Sequence, residues 1–171
     1  LNESKKISFR QLHIDFVKLV VSACQKHKIK RLIHMSALGA NQATGSSLYL
    51  RSKGEGENLL HTFGRKDLHV TSFQPSVIFG EQDSFINRFA GILKYCMGFF
   101  PLACAESRFS PVYIGDVSHR IAECINDPNS HSRRYPLCGP ETWSLKQILL
   151  MINAQLNRPC KIIGLNDSQS R

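Results

Sequence analysis

None of the six cysteines (Cys24, Cys96, Cys104, Cys124, Cys138, Cys160) stands in C-x-x-C spacing with another, which removes the usual sequence signs of a zinc site or a redox pair. Scattered thiols of this kind are expected to be reduced and mostly buried, in a reducing compartment. No apolar run is long enough to span a bilayer, since Lys94 and Pro101 interrupt the most apolar stretch, "GILKYCMGFFPLACA". That stretch reads first as core or substrate-pocket lining and second as an interfacial membrane contact. Repeats, low-complexity tracts and flexible linkers are absent. So is any aromatic-rich basic motif of the nucleic-acid-binding folds, and nucleic acid is not an expected partner. The opening "LNESKK" has neither the apolar core of a secretory signal nor the pattern of a transit peptide. With Leu1 rather than Met in first place, the expectation is a fragment of a longer chain, not secreted.

Carboxylates are scarce. Thirteen Asp and Glu face 22 Lys and Arg, for a net charge of +9. Much of the excess lies in "KHKIKR" (Lys26 to Arg31) and in Arg133 and Arg134. It suits an anionic partner, such as a dinucleotide or an acidic lipid surface. A solvated helix end accounts for it as well, because cations there offset the helix dipole.

At 171 residues the chain is long enough for one domain, and 42% hydrophobic content is ordinary for a soluble globular fold. Leu12, Phe16, Leu19, Val20 and Ala23 recur at helical spacing within residues 8–28, with Ser8 as N-cap. "IKRLIHMS" is a short apolar strand, and "SLYLRSKGEGENLLHTFG" a helix closing near Gly64. "HVTSFQPSVIFG" is a second strand, ended by Pro75. Helix, strand, helix, strand with apolar strands implies a parallel sheet covered on both faces. Beyond it, Ser84 is expected to cap a helix to about Met97, "RFSPVYIGDV" to be extended, and Asp116 to cap "DVSHRIAECIND". "RRYPLCG" reads as a strand, "SLKQILLMINAQL" as a helix capped by Ser144, and "CKIIGL" as a last strand.

Open parallel sheets bind ligands beyond the carboxyl ends of their strands. Ser36 ends the first strand, Pro75 and Ser76 end the second, and Tyr49 and Lys53 open the helix between them. The i,i+4 spacing sets Tyr49 and Lys53 on one helical face, with Cβ atoms roughly 5–6 Å apart. A phenol of ordinary pKa near 10 is a poor base at neutral pH, but a nearby ammonium favours its ionised form. Tyr49 is then a candidate to exchange a proton with a substrate hydroxyl or carbonyl, with Ser36 bonding the same oxygen.

Together, "HMSALGA", "YLRSKGEGE", "QPSVIFGEQDSFINRFA", "PVYIGDV" and "YPLCGPETWSL" resemble the extended, atypical branch of the short-chain dehydrogenase/reductase superfamily, of the NAD-dependent epimerase/dehydratase type. Within it, the sequence is most similar to the group containing the nucleotide-binding accessory subunit of respiratory complex I. The resemblance implies an α/β fold: a Rossmann-like, doubly wound parallel sheet, N-terminally truncated, with a smaller C-terminal substrate lobe. Residues 1–83 would be the C-terminal part of the dinucleotide-binding domain. Residues 84–171 would be a mixed α/β segment that contributes the substrate lobe and returns to the main sheet. Ser36, Tyr49 and Lys53 would form the catalytic set, with Tyr49, Lys53, Pro75 and Ser76 at the cofactor and no metal. Lys53 would also grip ribose hydroxyls. His13 would stand where related enzymes often carry an asparagine, or would simply be a helix residue facing solvent or its neighbours.

Departures from the family pattern are informative. Gln74 stands before the Pro-Ser pair where many relatives have an arginine, and Val77 stands where sugar-nucleotide epimerases typically carry an asparagine. The first removes a fixed charge and the second weakens a sugar-diphosphate substrate. The glycine-rich phosphate-binding turn of the family is missing from these residues, so NAD and NADP cannot be told apart. Two functions follow from the resemblance. One is an NAD(P)-dependent oxidoreductase acting on a small apolar or lipid-like carbonyl or alcohol. The other is a non-catalytic NAD(P)H-binding accessory or assembly subunit of a membrane-associated respiratory NADH dehydrogenase complex. The expected location is cytoplasmic, or peripheral at the inner face of a respiratory membrane.

Overall fold

The computed structural model describes residues 8–63, 68–156 and 160–165. The expected closure of a helix near Gly64 lies outside them. The chain forms two units, the first from residues up to Pro75 with Val117–Leu137, the second from Ser76–Asp116 with the residues after Leu137.

In the first unit, a wide π turn (Gln11–Asp15) runs into helix α1 (Phe16–Lys26). Ser8 starts this helix as expected: Gln11 N–H donates to Ser8 Oγ (3.2 Å) and Ser8 N–H to Gln11 Oε1 (2.9 Å), the reciprocal bonds of a capping box. Strand β1 (Arg31–Met35), helix α2 (Leu48–Phe63) and strand β2 (His69–Pro75) follow. β1 and β2 pair in parallel, Arg31 opposite His69 through Met35 opposite Phe73. Val17, Val21, Cys24, Leu60, Leu68 and Val70 bury together, so the apolar stripes of α1 and α2 share one core with β2. The two helical segments approach closely at Gly56, where a Cβ would lie 2.0 Å from the His13 carbonyl oxygen. Only glycine fits there.

β2 ends at Pro75 as expected, and the second unit opens with a further short strand, β3 (Ile78–Phe79), within the stretch that follows. Pro75 has no N–H to continue the ladder, and β3 pairs elsewhere. Helix α3 (Ile86–Lys94) is capped by Asp83, whose carboxylate accepts from the Phe85 and Ile86 N–H groups, rather than by Ser84. The helix also stops short of Met97. Strands β4 (Phe99–Leu102), β5 (Arg108–Phe109) and β6 (Val112–Tyr113) follow, the last two dividing the single extended segment expected there. β6 pairs in parallel with β3.

Helix α4 (Ile114–Ile125) starts earlier than expected, which puts Asp116 in its first turn instead of at its cap. Beyond α4 and a 3-10 turn (Pro128–Ser130), β7 (Arg134–Leu137) joins β2 in parallel, giving a three-stranded sheet in the order β1-β2-β7. Arg31 ties this region together. Its guanidinium donates to the Cys124 and Ile125 carbonyls at the end of α4, to the His69 carbonyl, and to Thr71 Oγ1 and Ser130 Oγ.

The remaining elements belong to the second unit: β8 (Trp143–Ser144), antiparallel to β5; helix α5 (Leu145–Ala154), with Ser144 and Gln147 as its capping box; and β9 (Lys161–Gly164), parallel to β4. Leu93, Leu102, Leu145, Leu149 and Ile162 form the core of this unit. Asn153 on α5 donates to the Cys160 carbonyl (2.8 Å) and accepts from the Cys160 N–H (3.1 Å). All six cysteines are free; Cys24, Cys124 and Cys160 are buried, whereas Cys104 and Cys138 are exposed, so burial of the thiols holds for only half of them.

Candidate functional site

Ser36 follows the last residue of β1 and is 4% exposed. Its N–H donates to the Phe73 carbonyl (2.7 Å), and Leu38 N–H to that of Pro75 (2.8 Å), so the chain beyond β1 stays fastened to β2. Its hydroxyl turns inward and donates to Glu57 Oε2 at 2.7 Å. A hydroxyl has one proton to give, so Ser36 offers only lone pairs to anything else that approaches.

Lys53 reaches the same strand end. Its Nζ donates to the Met35 carbonyl at 2.6 Å, on the peptide that joins Met35 to Ser36. Burial pushes its amine below the ordinary value, and the Glu57 carboxylate partly offsets that. Tyr49 lies one turn earlier on α2. Its ring meets His13 (centroids 5.4 Å apart) and Phe9 (5.8 Å) edge to face. Here the structure corrects the sequence reading: burial pushes the phenol above its ordinary value, and no lowering by Lys53 is seen. Tyr49 is therefore a protonated phenol at neutral pH.

His13 faces neither solvent alone nor a chance neighbour. Its Nδ1 lies 2.8 Å from Ser52 Oγ, and Ser52 in turn donates to the Tyr49 carbonyl (2.9 Å). With the Ser52 proton committed, His13 Nδ1–H is the donor. Its Nε2 then keeps a lone pair, and burial followed by the Lys53 charge lowers its pKa. Pro75 ends β2, buried, in the first unit. Ser76 opens the second, where its Oγ accepts from the Ser110 N–H at 3.2 Å.

Glu57 was not singled out in the sequence, yet it organises the group. It is 1% exposed, and its carboxylate accepts from the Ser36 hydroxyl, twice from Gln74 Nε2 at 3.1 Å, and meets Arg134 Nε at 3.3 Å. Arg134 also donates to Asn58 Oδ1 (2.9 Å). Part of the basic excess at Arg133 and Arg134 is thus structural. The missed signal was legible: Tyr49, Lys53 and Glu57 are spaced i, i+4, i+8 along one helical face.

A cavity of about 370 Å³ lies against β1 and α1, lined by Leu12, His13, Phe16, His34, Met35 and Lys53 among others. His34 Nε2 is buried there with no hydrogen-bond partner among the described residues. Burial first, then the Lys53 charge, lowers the His34 pKa to about 4. No group of metal-ligating side chains is found among the described residues.

No family model matches the chain. Among curated proteins it is 27% identical over 158 residues to NADH dehydrogenase (ubiquinone) 1 alpha subcomplex subunit 9, mitochondrial, of Mus musculus, covering 91% of this chain and 40% of that one. It is 22% identical over 153 residues to the mitochondrial NADH-ubiquinone oxidoreductase 40 kDa subunit of Neurospora crassa, covering 90% and 39%. The chain thus spans about 40% of the length of these relatives. Among solved structures it superposes on the UDP-glucose 4-epimerase of Thermus thermophilus in complex with NAD, with a TM-score of 0.75, 16% identity, and 90% of this chain on 57% of that one. The dTDP-glucose 4,6-dehydratase of Bacillus anthracis, also with NAD, gives 0.76 and 12% identity, with 98% of this chain on 60% of that one. These likenesses establish a Rossmann-like fold. In sequence and in fold alike, the chain matches the extended short-chain dehydrogenase/reductase superfamily.

Proposed function

We propose that the chain supplies the nicotinamide-facing residues of an NAD(P)(H) site, in an oxidoreductase acting on a small apolar or lipid-like carbonyl or alcohol. The observation that carries the proposal is the meeting of Lys53 Nζ with the Met35 carbonyl, which sets the ammonium beside Ser36 and on the helical face of Tyr49. The donor set fits the cofactor. An ammonium has three N–H groups; one is spent on Met35, leaving two for the adjacent hydroxyls of a ribose. The bound cofactor would supply hydride chemistry. Tyr49, protonated because it is half-buried, holds the proton that a substrate oxygen takes. Ser36, whose own O–H donates to Glu57, accepts from a substrate hydroxyl and orients it. Pro75 and Ser76 border the ring in this reading. The division of labour read from the sequence, residues 1–83 for the dinucleotide and 84–171 for the substrate lobe, is part of the same proposal.

A second reading is favoured by the relatives, which are named as subunits of NADH dehydrogenase. In it the protein is a mitochondrial accessory or assembly subunit, peripheral to the membrane, and the nucleotide is retained to hold the fold. The full-length protein separates the two. Binding of NADH and NADPH is measured by fluorescence, and turnover against a panel of small and lipid-like carbonyls. Tyr49→Phe should lower kcat by about 100-fold or more while leaving nucleotide binding nearly intact. Wild-type turnover in Tyr49→Phe refutes the catalytic assignment. Nucleotide binding without turnover of any panel member, together with co-purification in a respiratory complex, favours the second reading.

A further inference from the structure

The segment expected to line core or pocket does so only in part. Leu93, Leu102 and Ala105 are buried, but Tyr95, Met97 and Phe99 are 81%, 93% and 61% exposed. Such large apolar side chains cost free energy in water unless something covers them. Their placement follows from the backbone. α3 ends at Lys94, and Gly98 turns the chain through a positive φ of 86°, leaving Tyr95 to Gly98 projecting between α3 and β4.

The exposed surface continues onto the sheet. In the parallel pair β4–β9, Phe99 stands opposite Lys161 and Pro101 opposite Ile163, and all four are exposed. Strand side chains alternate between faces, so Phe100, Leu102 and Ile162 point inward while these four form one outward face. Its apolar members are Phe99, Pro101 and Ile163, and its charge is a lysine. Lys94, with Nζ 6.0 Å from the Tyr95 ring centroid, adds a second cation at the projecting turn.

Charge selects the partner. Residues 94–105 and 160–165, which carry this face, contain no Asp or Glu, and their two cations are Lys94 and Lys161. A protein surface matched to this one would have to bring its own carboxylates to two lysines while burying Met and Phe. A bilayer with anionic headgroups presents both chemistries at once: phosphate at the depth of the ammonium groups and acyl chain just below it. Tyrosine is moreover suited to the headgroup level, its ring apolar and its hydroxyl wet. No helix among the described residues is long and apolar enough to cross a membrane.

We infer that Tyr95, Met97 and Phe99, flanked by Lys94 and Lys161, dock the protein onto the surface of a bilayer containing anionic phospholipid. The inference is independent of nucleotide binding. The test is co-sedimentation of the full-length protein with vesicles of phosphatidylcholine alone or mixed with phosphatidylglycerol. Wild type should pellet with the mixed vesicles only. Lys94→Gln and Lys161→Gln should each lower the partition coefficient about fivefold, equivalent to ~1 kcal/mol per cation. Met97→Ser with Phe99→Ser should lower it about tenfold or more. These side chains are exposed, so the variants should fold, which circular dichroism checks. Met97→Trp should show a blue-shifted emission on addition of mixed vesicles. The inference fails if wild type does not pellet, if the variants pellet like wild type, or if the Met97→Trp emission does not move. It also fails if the serine variant abolishes self-association of the protein in the absence of lipid, because the face is then a contact between copies.

Discussion

Removing the Arg134 charge tests the organisation of the site at its centre. Glu57 is 1% exposed and receives two neutral donors, Ser36 and Gln74, and one cationic one, Arg134 Nε at 3.3 Å. Breaking a fully buried ion pair commonly costs about 3–5 kcal/mol, whereas an exposed pair is worth roughly 0–1. This pair is mixed: the carboxylate is dry, but the Arg134 side chain is 42% exposed and screened by water. Arg134→Met should therefore destabilise by about 1–2 kcal/mol, between the two limits. Glu57→Gln should cost about 2–3 kcal/mol. Its new amide either faces the Gln74 amide donor to donor or leaves Ser36 without an acceptor, and a buried unmatched polar group carries a penalty of that order. The double variant completes a cycle, and the coupling energy should be about 1–2 kcal/mol, since the two side chains touch. Urea unfolding of the full-length protein, followed by a probe in this unit, supplies all four values. A coupling energy within about 0.3 kcal/mol of zero would show Arg134 to be a solvated surface cation and would refute the reasoning.

Two further predictions concern the first unit. His34 has a folded pKa of about 4, below its ordinary value of 6.5, so the unfolded chain binds its proton first. Stability should be level above about pH 7.5 and fall as the pH drops from 6.5 towards 4, by up to about 3 kcal/mol, with His13 and His61 acting in the same direction. His34→Leu should flatten that slope; an unchanged slope in urea unfolding across the range would exclude His34 as its source. Arg31→Met should cost about 2–4 kcal/mol, because the last α4 carbonyls and Ser130 lose a charged donor. Amide hydrogen exchange should then speed up in β7 and the end of α4, and unchanged protection there would contradict the role given to Arg31.

Much of the fold was legible because local and tertiary preferences agree in the first unit. Apolar spacing in α1, Ser8 as its N-cap, and the short apolar strand β1 are each set by preferences within a few residues. The second unit was harder. Pro75 was read as a strand end, but nothing nearby revealed that Ile78 and Phe79 would pair with Val112 and Tyr113. Asp83 and Ser84 are equally good caps on paper, and the path of the turn chose Asp83. In the site, the i,i+4 relation of Tyr49 and Lys53 was visible, but the sign of the phenol shift was not. That sign depends on how much surface His13 and Phe9 cover, which no spacing rule conveys. Arg134 was visible only as part of the basic excess, and its pairing with Glu57 was not legible for a like reason: the two meet from far along the chain, through pairing of β7 with β2.

The Asn153 clasp on Cys160 has a consequence for how this chain can vary. A side-chain amide there stands in for a peptide group, donating and accepting as a neighbouring strand would, so the start of β9 is referenced to helix α5. The alignment of Lys161 with Phe99 thus depends on a residue of the helix, and exchange of Asn153 for an aspartate, unable to donate, would let that alignment drift.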